Sequence, residues 1–306
     1  MYCYDSLYKL KVGKRIVKLI TLFFAIFICT LLWGHGLENE APKTTKAVRV
    51  YPKPPKIDGV LDDEVWKQAP IASVFYQREP EEGIPASEET AFQVAYDDEA
   101  LYIAIMCYDS EPDKIVRRLY RRDQISYGET DWVGIRLDPH HDHQTGFGFA
   151  ITPSGSFCDN IILNDSGFDG TWDSVWEVRT AINDLGWSVE LKIPYHALRF
   201  SPKEEYIWGI NLDRSILRKK EYDMWQFVPK NESGISSRNG HLEGIKGIKP
   251  PAHLELMPYT VVRETLQAKG ETDKDKWQSF SSLGMDVRYG IASNISLNAT
   301  LNPDFG

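Results

Sequence analysis

The stretch Asn164-Asp-Ser-Gly-Phe-Asp-Gly-Thr-Trp-Asp-Ser-Val-Trp176 puts the indole of Trp172 beside three carboxylates, Asp165, Asp169 and Asp173, in a glycine-broken loop that opens onto a strand. A flat ring flanked by planar hydrogen-bonding groups suits a polyhydroxylated cyclic ligand, because stacking covers the apolar face and carboxylates take the hydroxyls. Trp172 has a structural role equally open to it, as a cover over the base of its own loop. A second group, Arg117, Arg118, Tyr120, Arg121, Arg122 and Tyr127, sets guanidinium forks beside phenols, with Arg118 and Tyr120 at its centre. Such forks bind hydroxyls or carboxylates bidentately. A solvated basic face on an acidic protein accounts for the same residues.

Asp138-Pro-His-His-Asp-His-Gln-Thr-Gly146 is a hairpin connection in which Asp138, His140, Asp142 and His143 are candidate metal ligands. Its carboxylates suit calcium and its imidazoles suit zinc or copper, while a polar exposed turn explains the composition without any metal. Asp165, Asp169 and Asp173 are a second oxygen-rich set, spaced every four residues, which does not fit an EF-hand loop. Catalytic signatures are missing: the chain has no Gly-x-Ser-x-Gly, His-Glu-x-x-His or phosphate-binding glycine loop. Glycoside hydrolysis needs two carboxylates at a set separation, which spacing along a chain does not reveal. The residues therefore point to binding, with any enzymatic connection that of an accessory.

The elements that must position these groups are short alternating apolar runs between turn residues, which is the pattern of strands. They fall at 91–96, 101–108, 131–138, 146–152, 157–163, 175–182, 187–193, 207–217 and 223–228. The spacing predicts antiparallel sheets packed face to face. Helical patterning is confined to 62–68, after an Asp N-cap, and 113–122. Beyond the linker Lys246-Gly-Ile-Lys-Pro-Pro251 the runs lengthen, at 253–264, 281–289 and 295–301, with the charged segment 269–276 on one side and the turn 290–294 on the other. Long loop, tight turn and alternating faces are the pattern of an outer-membrane barrel hairpin, and three strands cannot close a barrel.

The 306 residues, 42% hydrophobic and 12% aromatic, suffice for a packed core, and the formal charge of −9 excludes the basic footprint of a nucleic-acid binder. Lys9, Lys11, Lys14, Arg15 and Lys18 precede the uncharged run Leu19–Trp33, so residues 1–36 read as a secretory signal peptide, with an uncleaved anchor as the alternative. Without them the charge is about −13. Cys3 and Cys29 fall in that segment; Cys107 and Cys158 remain, either bridged or as buried thiols.

Lys56-Ile-Asp-Gly-Val-Leu-Asp-Asp-Glu-Val-Trp66, Val94-Ala-Tyr-Asp-Asp-Glu-Ala-Leu-Tyr-Ile-Ala104, Asp131-Trp-Val-Gly-Ile-Arg-Leu-Asp138, Gly186-Trp-Ser-Val-Glu-Leu-Lys-Ile-Pro194 and Trp208-Gly-Ile-Asn211 occur in that order. In that order they resemble the carbohydrate-binding module family 9-like domain over residues 48–248. The tail, with Leu283-Gly-Met-Asp-Val-Arg-Tyr-Gly290 and Asn302-Pro-Asp-Phe-Gly306, resembles the start of the barrel that follows this domain in Gram-negative outer-membrane proteins. The resemblance implies an all-β fold, a jelly-roll-like antiparallel β-sandwich followed by an incomplete membrane-barrel-like β segment over 253–306. It implies export to the periplasm or cell surface, polysaccharide or oligosaccharide as partner, and a part in polysaccharide breakdown. Its own barrel and the outer membrane would be further partners.

Some relatives hold calcium. Others, in redox proteins, hold a b-type haem between Met and His or Lys; Met106 and Met224 lie in strands here, with no partner marked for either. Sugar-binding members carry a Trp just before the Asp-x-Val-Glu-type strand and a Glu within it; the matching places are near Gly128 and at Gly134. A second stacking Trp has no match in 230–239. That departure keeps open an alternative, a structural or docking domain that serves its barrel. Bottom-up, Asp58-Gly59 is a tight turn, Trp66 is large enough to plug one end of a sandwich, and Trp187 and Trp208, alternating with Val189, Leu191 and Ile210, pack in the core or on a sheet face.

Overall fold

The computed structural model describes residues 41–250, 254–267, 276–292 and 295–303. The expected signal peptide at 1–36 lies outside the described residues, as does most of the charged segment 269–276. Strands dominate because the apolar residues alternate and are rich in Val, Ile, Phe, Tyr and Trp, which pack well on a pleated, half-buried surface.

Two sheets form the larger part. The first has the order β8 (Gly167–Asp169), β7 (Phe157–Leu163), β6 (Gly146–Ile151), β5 (Trp132–Asp138), β11 (Glu205–Ile216) and β13 (Gly240–Lys246), with β12 (Glu221–Met224) also on β11 and β2 (Tyr76–Glu79) on β12. The second is β3 (Thr90–Tyr96), β4 (Ala100–Tyr108), β10 (Gly186–Pro194) and β9 (Glu177–Asn183). β1 (Thr44–Arg49) joins them, pairing with β13 through Thr44–Lys46 and with β3 through Ala47–Arg49. Both of these pairings are parallel, the exception to an otherwise antiparallel arrangement.

Alternate residues of both sheets meet in one core, including Phe92, Ile103, Ile105, Ile135, Phe149, Trp187, Val189, Leu191, Trp208 and Ile210, all at most 1% exposed. Trp187 and Trp208 are core rings, as their alternation predicts. A second, smaller cluster lies on the outer face of the β3–β4–β10 sheet, where helix α1 (Glu64–Gln68) lays Val65 and Trp66 over Ala95, Tyr102 and Ala104. Trp66 therefore covers a sheet face instead of plugging the sandwich end.

The expected helix at 113–122 is not formed; a single 3-10 turn at Pro112–Lys114 is all that appears there. The reason is lateral hydrogen bonding. Asp131 N–H donates to Val116 O at 2.8 Å, Val116 N–H to Asp131 Oδ2 at 3.3 Å, and Tyr120 N–H to Ser156 Oγ at 2.8 Å. These bonds take the backbone groups that a helix would have paired internally. Buried charge fixes the base of this segment. Arg218 grips Asp109 bidentately at 2.7 Å, and Arg214, 1% exposed, donates to Glu89 O, Thr90 Oγ1 and Tyr108 O. Cys107 and Cys158 are unbridged buried thiols.

The tail is a separate three-stranded antiparallel sheet of β14 (Leu254–Gln267), β15 (Lys276–Ala292) and β16 (Ile295–Leu301).

Candidate ligand-binding cleft

Period-two alternation sends Trp132, Gly134 and Arg136 of β5 to the outer face of their sheet, away from the core that takes Val133, Ile135 and Leu137. Register then sets one row across the sheet, Cys158, Ala150, Gly134, Asp213 and Met224, and beside it a second, Asn160, Gly148 and Arg136. Small residues in the middle of both rows leave a trough. A Cβ on Gly134 would lie 3.1 Å from the Trp132 ring and 3.6 Å from Asp213 Oδ2, and one on Gly148 would meet Asn160 Oδ1 at 2.5 Å. The trough is a cavity of about 610 Å³, closed along its sides by Arg78, Tyr127, Phe168 and Ile235.

One wall is aromatic. Tyr127 packs edge-on against Trp132 at 5.0 Å, and Trp132 lies 5.8 Å from Tyr222 at 39°. The floor is polar and ionic: Arg136, 8% exposed, pairs with the Asp213 carboxylate. Burial pushes the Asp213 carboxyl up against the pull of Arg136 and Tyr222, and burial drives the Tyr222 phenol far above its ordinary value. Burial also opposes the Arg136 charge, yet Asp213 and Tyr222 hold the guanidinium more firmly protonated than usual. The Tyr127 hydroxyl lies 3.0 Å from Cys158 Sγ. Arg78 Nε, Arg136 Nε and Asn160 Oδ1 are buried without a hydrogen-bond partner. Two donors and an acceptor thus stand unpaired around one cavity, where buried polar groups are ordinarily paired.

Residues 57–224 match the family described as carbohydrate family 9 binding domain-like. The chain belongs to this family. Residues 250–306 match a domain of unknown function, DUF5916. A family 9 carbohydrate-binding module from Caldicellulosiruptor kristjanssonii, solved with cellotriose and again with glucose, is 18% identical over 68% of this chain and 100% of that one, with a TM-score of 0.48. A Bacteroides uniformis protein, provisionally described as carbohydrate-binding, is 12% identical over 66% of this chain and 99% of that one, with a TM-score of 0.54, and shares the fold. No curated protein matches the chain.

Within this family 9-like domain, the residues singled out from sequence do not converge. Trp172 is half-buried with its ring against Phe147 at 5.2 Å and Phe149 at 6.3 Å, packed on the core as a cover. Asp165 is a loop clasp: its carboxylate accepts from Ile235 N–H at 3.0 Å, Ser237 N–H at 2.8 Å and Ser237 Oγ at 2.7 Å. Asp169 accepts from Thr171, Arg118 pairs with Glu129 at 2.9 Å on the surface, and the Tyr120 hydroxyl is buried without a partner.

Asp173 joins Asp123 and Asp159 in an acidic trio, into which Arg122 projects. That guanidinium already supplies the cation, so the trio does not suit calcium. Nor does the 138–146 connection hold the expected ligand set. The Asp138 carboxylate accepts from His141 N–H at 2.7 Å and His143 N–H at 2.9 Å, and Asp142 accepts from Gln144 N–H and Thr145. Both acids are used in shaping the loop, and His140 is not among the packed imidazoles. Met224 lines the cleft, but neither His nor Lys lines it, so the axial pair of a b-type haem is not assembled there.

The cleft residues Trp132, Arg136, Asn160, Asp213 and Tyr222 went unread as a site. One signal was present: Gly134 marks the place where sugar-binding relatives carry Glu, and it lies at the centre of the floor. Asp213, from the neighbouring strand, brings its carboxylate to the space above that glycine.

Proposed function

We propose that the cleft binds an oligosaccharide without catalysing its cleavage. The observation that carries this reading is the pairing of a three-ring wall, Tyr127, Trp132 and Tyr222, with unpaired polar groups of Arg78, Arg136 and Asn160 around one cavity. Rings cover the apolar face of a pyranose, and planar amide and guanidinium groups take vicinal hydroxyls. A volume of about 610 Å³ lies within the usual range for small-ligand sites and admits one or two sugar units. The relatives solved with cellotriose and glucose agree with this class of ligand.

The test is calorimetric titration with cello-, xylo- and chito-oligosaccharides and peptidoglycan fragments, with and without Ca²⁺. Saturable binding that Trp132→Ala weakens at least tenfold supports the cleft. Binding untouched by Trp132→Ala and Asn160→Ala overturns it.

We further propose that the chain is exported and that its tail enters an outer-membrane barrel, as part of a surface system for polysaccharide use. One face of the tail sheet carries exposed Leu256, Val262, Leu266, Trp277, Leu283, Tyr289, Leu297 and Leu301. Trp277 and Tyr289 stand twelve residues apart on β15, about 40 Å along the strand, or roughly 30 Å of height at a barrel's tilt. That separation suits two aromatic girdles flanking an apolar band. Fractionation of cells expressing the full-length protein tests it; recovery in the soluble periplasm overturns it.

A further inference from the structure

Outside the cleft, the β5–β6 connection holds two residues in an uncommon backbone. His141 and His143 both take left-handed conformations, φ 53° and 60°, which few residues bearing a Cβ adopt. The Asp138 carboxylate fixes this shape through their N–H groups. The outcome is a set of three imidazoles. The His141 ring lies 4.6 Å from that of His143 and 5.2 Å from that of His241, one hundred residues away on β13.

The buried polar atoms nearby are unsatisfied. His141 Nε2 has no hydrogen-bond partner, and neither do both amide atoms of Asn239 and the Ser236 hydroxyl. Gly209 shows how close these parts are: it pairs with Asp138 on one side and His241 on the other, and Asn239 Nδ2 is 3.2 Å from its Cβ position. Four unpaired atoms at one end of a sheet depart from the rule that buried polar groups find partners. With the carboxylates of Asp138 and Asp142 already engaged, the free donors are ring nitrogens. Nitrogen donors without carboxylate suit zinc, copper or nickel and not calcium.

We propose that His141, His143 and His241 bind one divalent transition-metal ion of the zinc class. Binding would need the three rings to turn so that one nitrogen of each lies at the usual zinc distance of about 2.0–2.1 Å from the ion. The ion would tie the β5–β6 connection to β13. It would also steady one cleft wall, because Asp165 N–H donates to Gln144 O in that connection and the Asp165 carboxylate holds Ile235.

The experiment uses the untagged full chain, stripped with chelator and titrated with Zn²⁺ by calorimetry, and the same titration with Ca²⁺. One Zn²⁺ per chain is expected, with affinity reduced at least tenfold in His143→Ala and in His241→Gln. His196→Ala, exposed on another part of the surface, keeps wild-type affinity. Far-ultraviolet circular dichroism reports whether each variant is folded, and Zn²⁺ is expected to raise the melting temperature of wild type but not of His241→Gln. No saturable Zn²⁺ binding by folded wild type overturns the proposal, as does binding that survives both folded variants. Neither result depends on what the cleft binds.

Discussion

The Trp66 indole donates to Glu190 Oε1 at 2.8 Å, and the other oxygen of that fully buried carboxylate accepts from Asp58 N–H and Gly59 N–H. One side chain on β10 thus fastens both the turn and the helix that precede the second sheet, across more than 120 residues of sequence. Trp66→Phe keeps most of the apolar contact but removes the N–H, leaving Glu190 short of a donor. A loss of about 1–3 kcal/mol is expected from urea unfolding, with the slope unchanged.

Gly59 stands in the same turn at φ 88°, and a Cβ there would lie 2.8 Å from the backbone carbon of Thr180. Gly59→Ala meets backbone, which cannot swing aside. Expected is a stability loss of about 2 kcal/mol or more by urea unfolding, larger than for the same change at Gly128, whose surroundings are open.

Neither oxygen of Asp223 has a hydrogen-bond donor, and burial together with the adjacent Glu221 pushes its carboxyl up to about 8. The folded state therefore holds a proton that the unfolded state releases near pH 4. Stability from this group is full below about pH 4 and is lost as pH rises toward about 8, with a slope of at most about 1.4 kcal/mol per pH unit. Asp223→Asn should flatten the pH dependence of unfolding over that window. An unchanged profile would show that Asp223 is ionised in the native protein.

Trp172 and Trp132 separate packing from recognition. Trp172→Ala strips a partner from Phe147 and Phe149 and should lower stability by about 1–3 kcal/mol while sugar affinity at saturating folded protein is unchanged. Trp132→Ala should do the reverse, costing affinity at least tenfold. Paired melting and titration curves for both variants decide the assignment.

Gly134→Ala tests the trough itself. Its methyl would press on the Trp132 ring and approach Asp213, narrowing the floor. Affinity for the longest bound oligosaccharide should fall severalfold, and a wild-type titration would mean that the ligand does not descend to the floor.

Local pattern alone determined most of the strands, the burial of Trp187 and Trp208 and the Asp58-Gly59 turn, because alternation and turn chemistry act between near neighbours; the family came from a resemblance of five motifs in a fixed order, and β2, β8 and β13 went unread. The length of β15 escaped it, and the helix it predicted at 113–122 does not form, because the backbone bonds of that segment go to Asp131 and Ser156, partners that periodicity does not see. β1 went unread for a similar reason: six residues acquire meaning only from parallel pairing with β13 and β3, at opposite ends of the domain.

The binding site was decided at the same level. Trp172 and its acids are adjacent in sequence, yet they are spent apart: Trp172 on the core, Asp169 on its own loop, Asp165 on the 235–237 loop and Asp173 on Arg122. The cleft instead joins β5, β7, β11 and β12 through register, and only the folded sheet sets Asp213 above Gly134 and Asn160 beside Gly148. Sequence proximity made one candidate site visible, and lateral strand pairing, which runs perpendicular to the chain, built another.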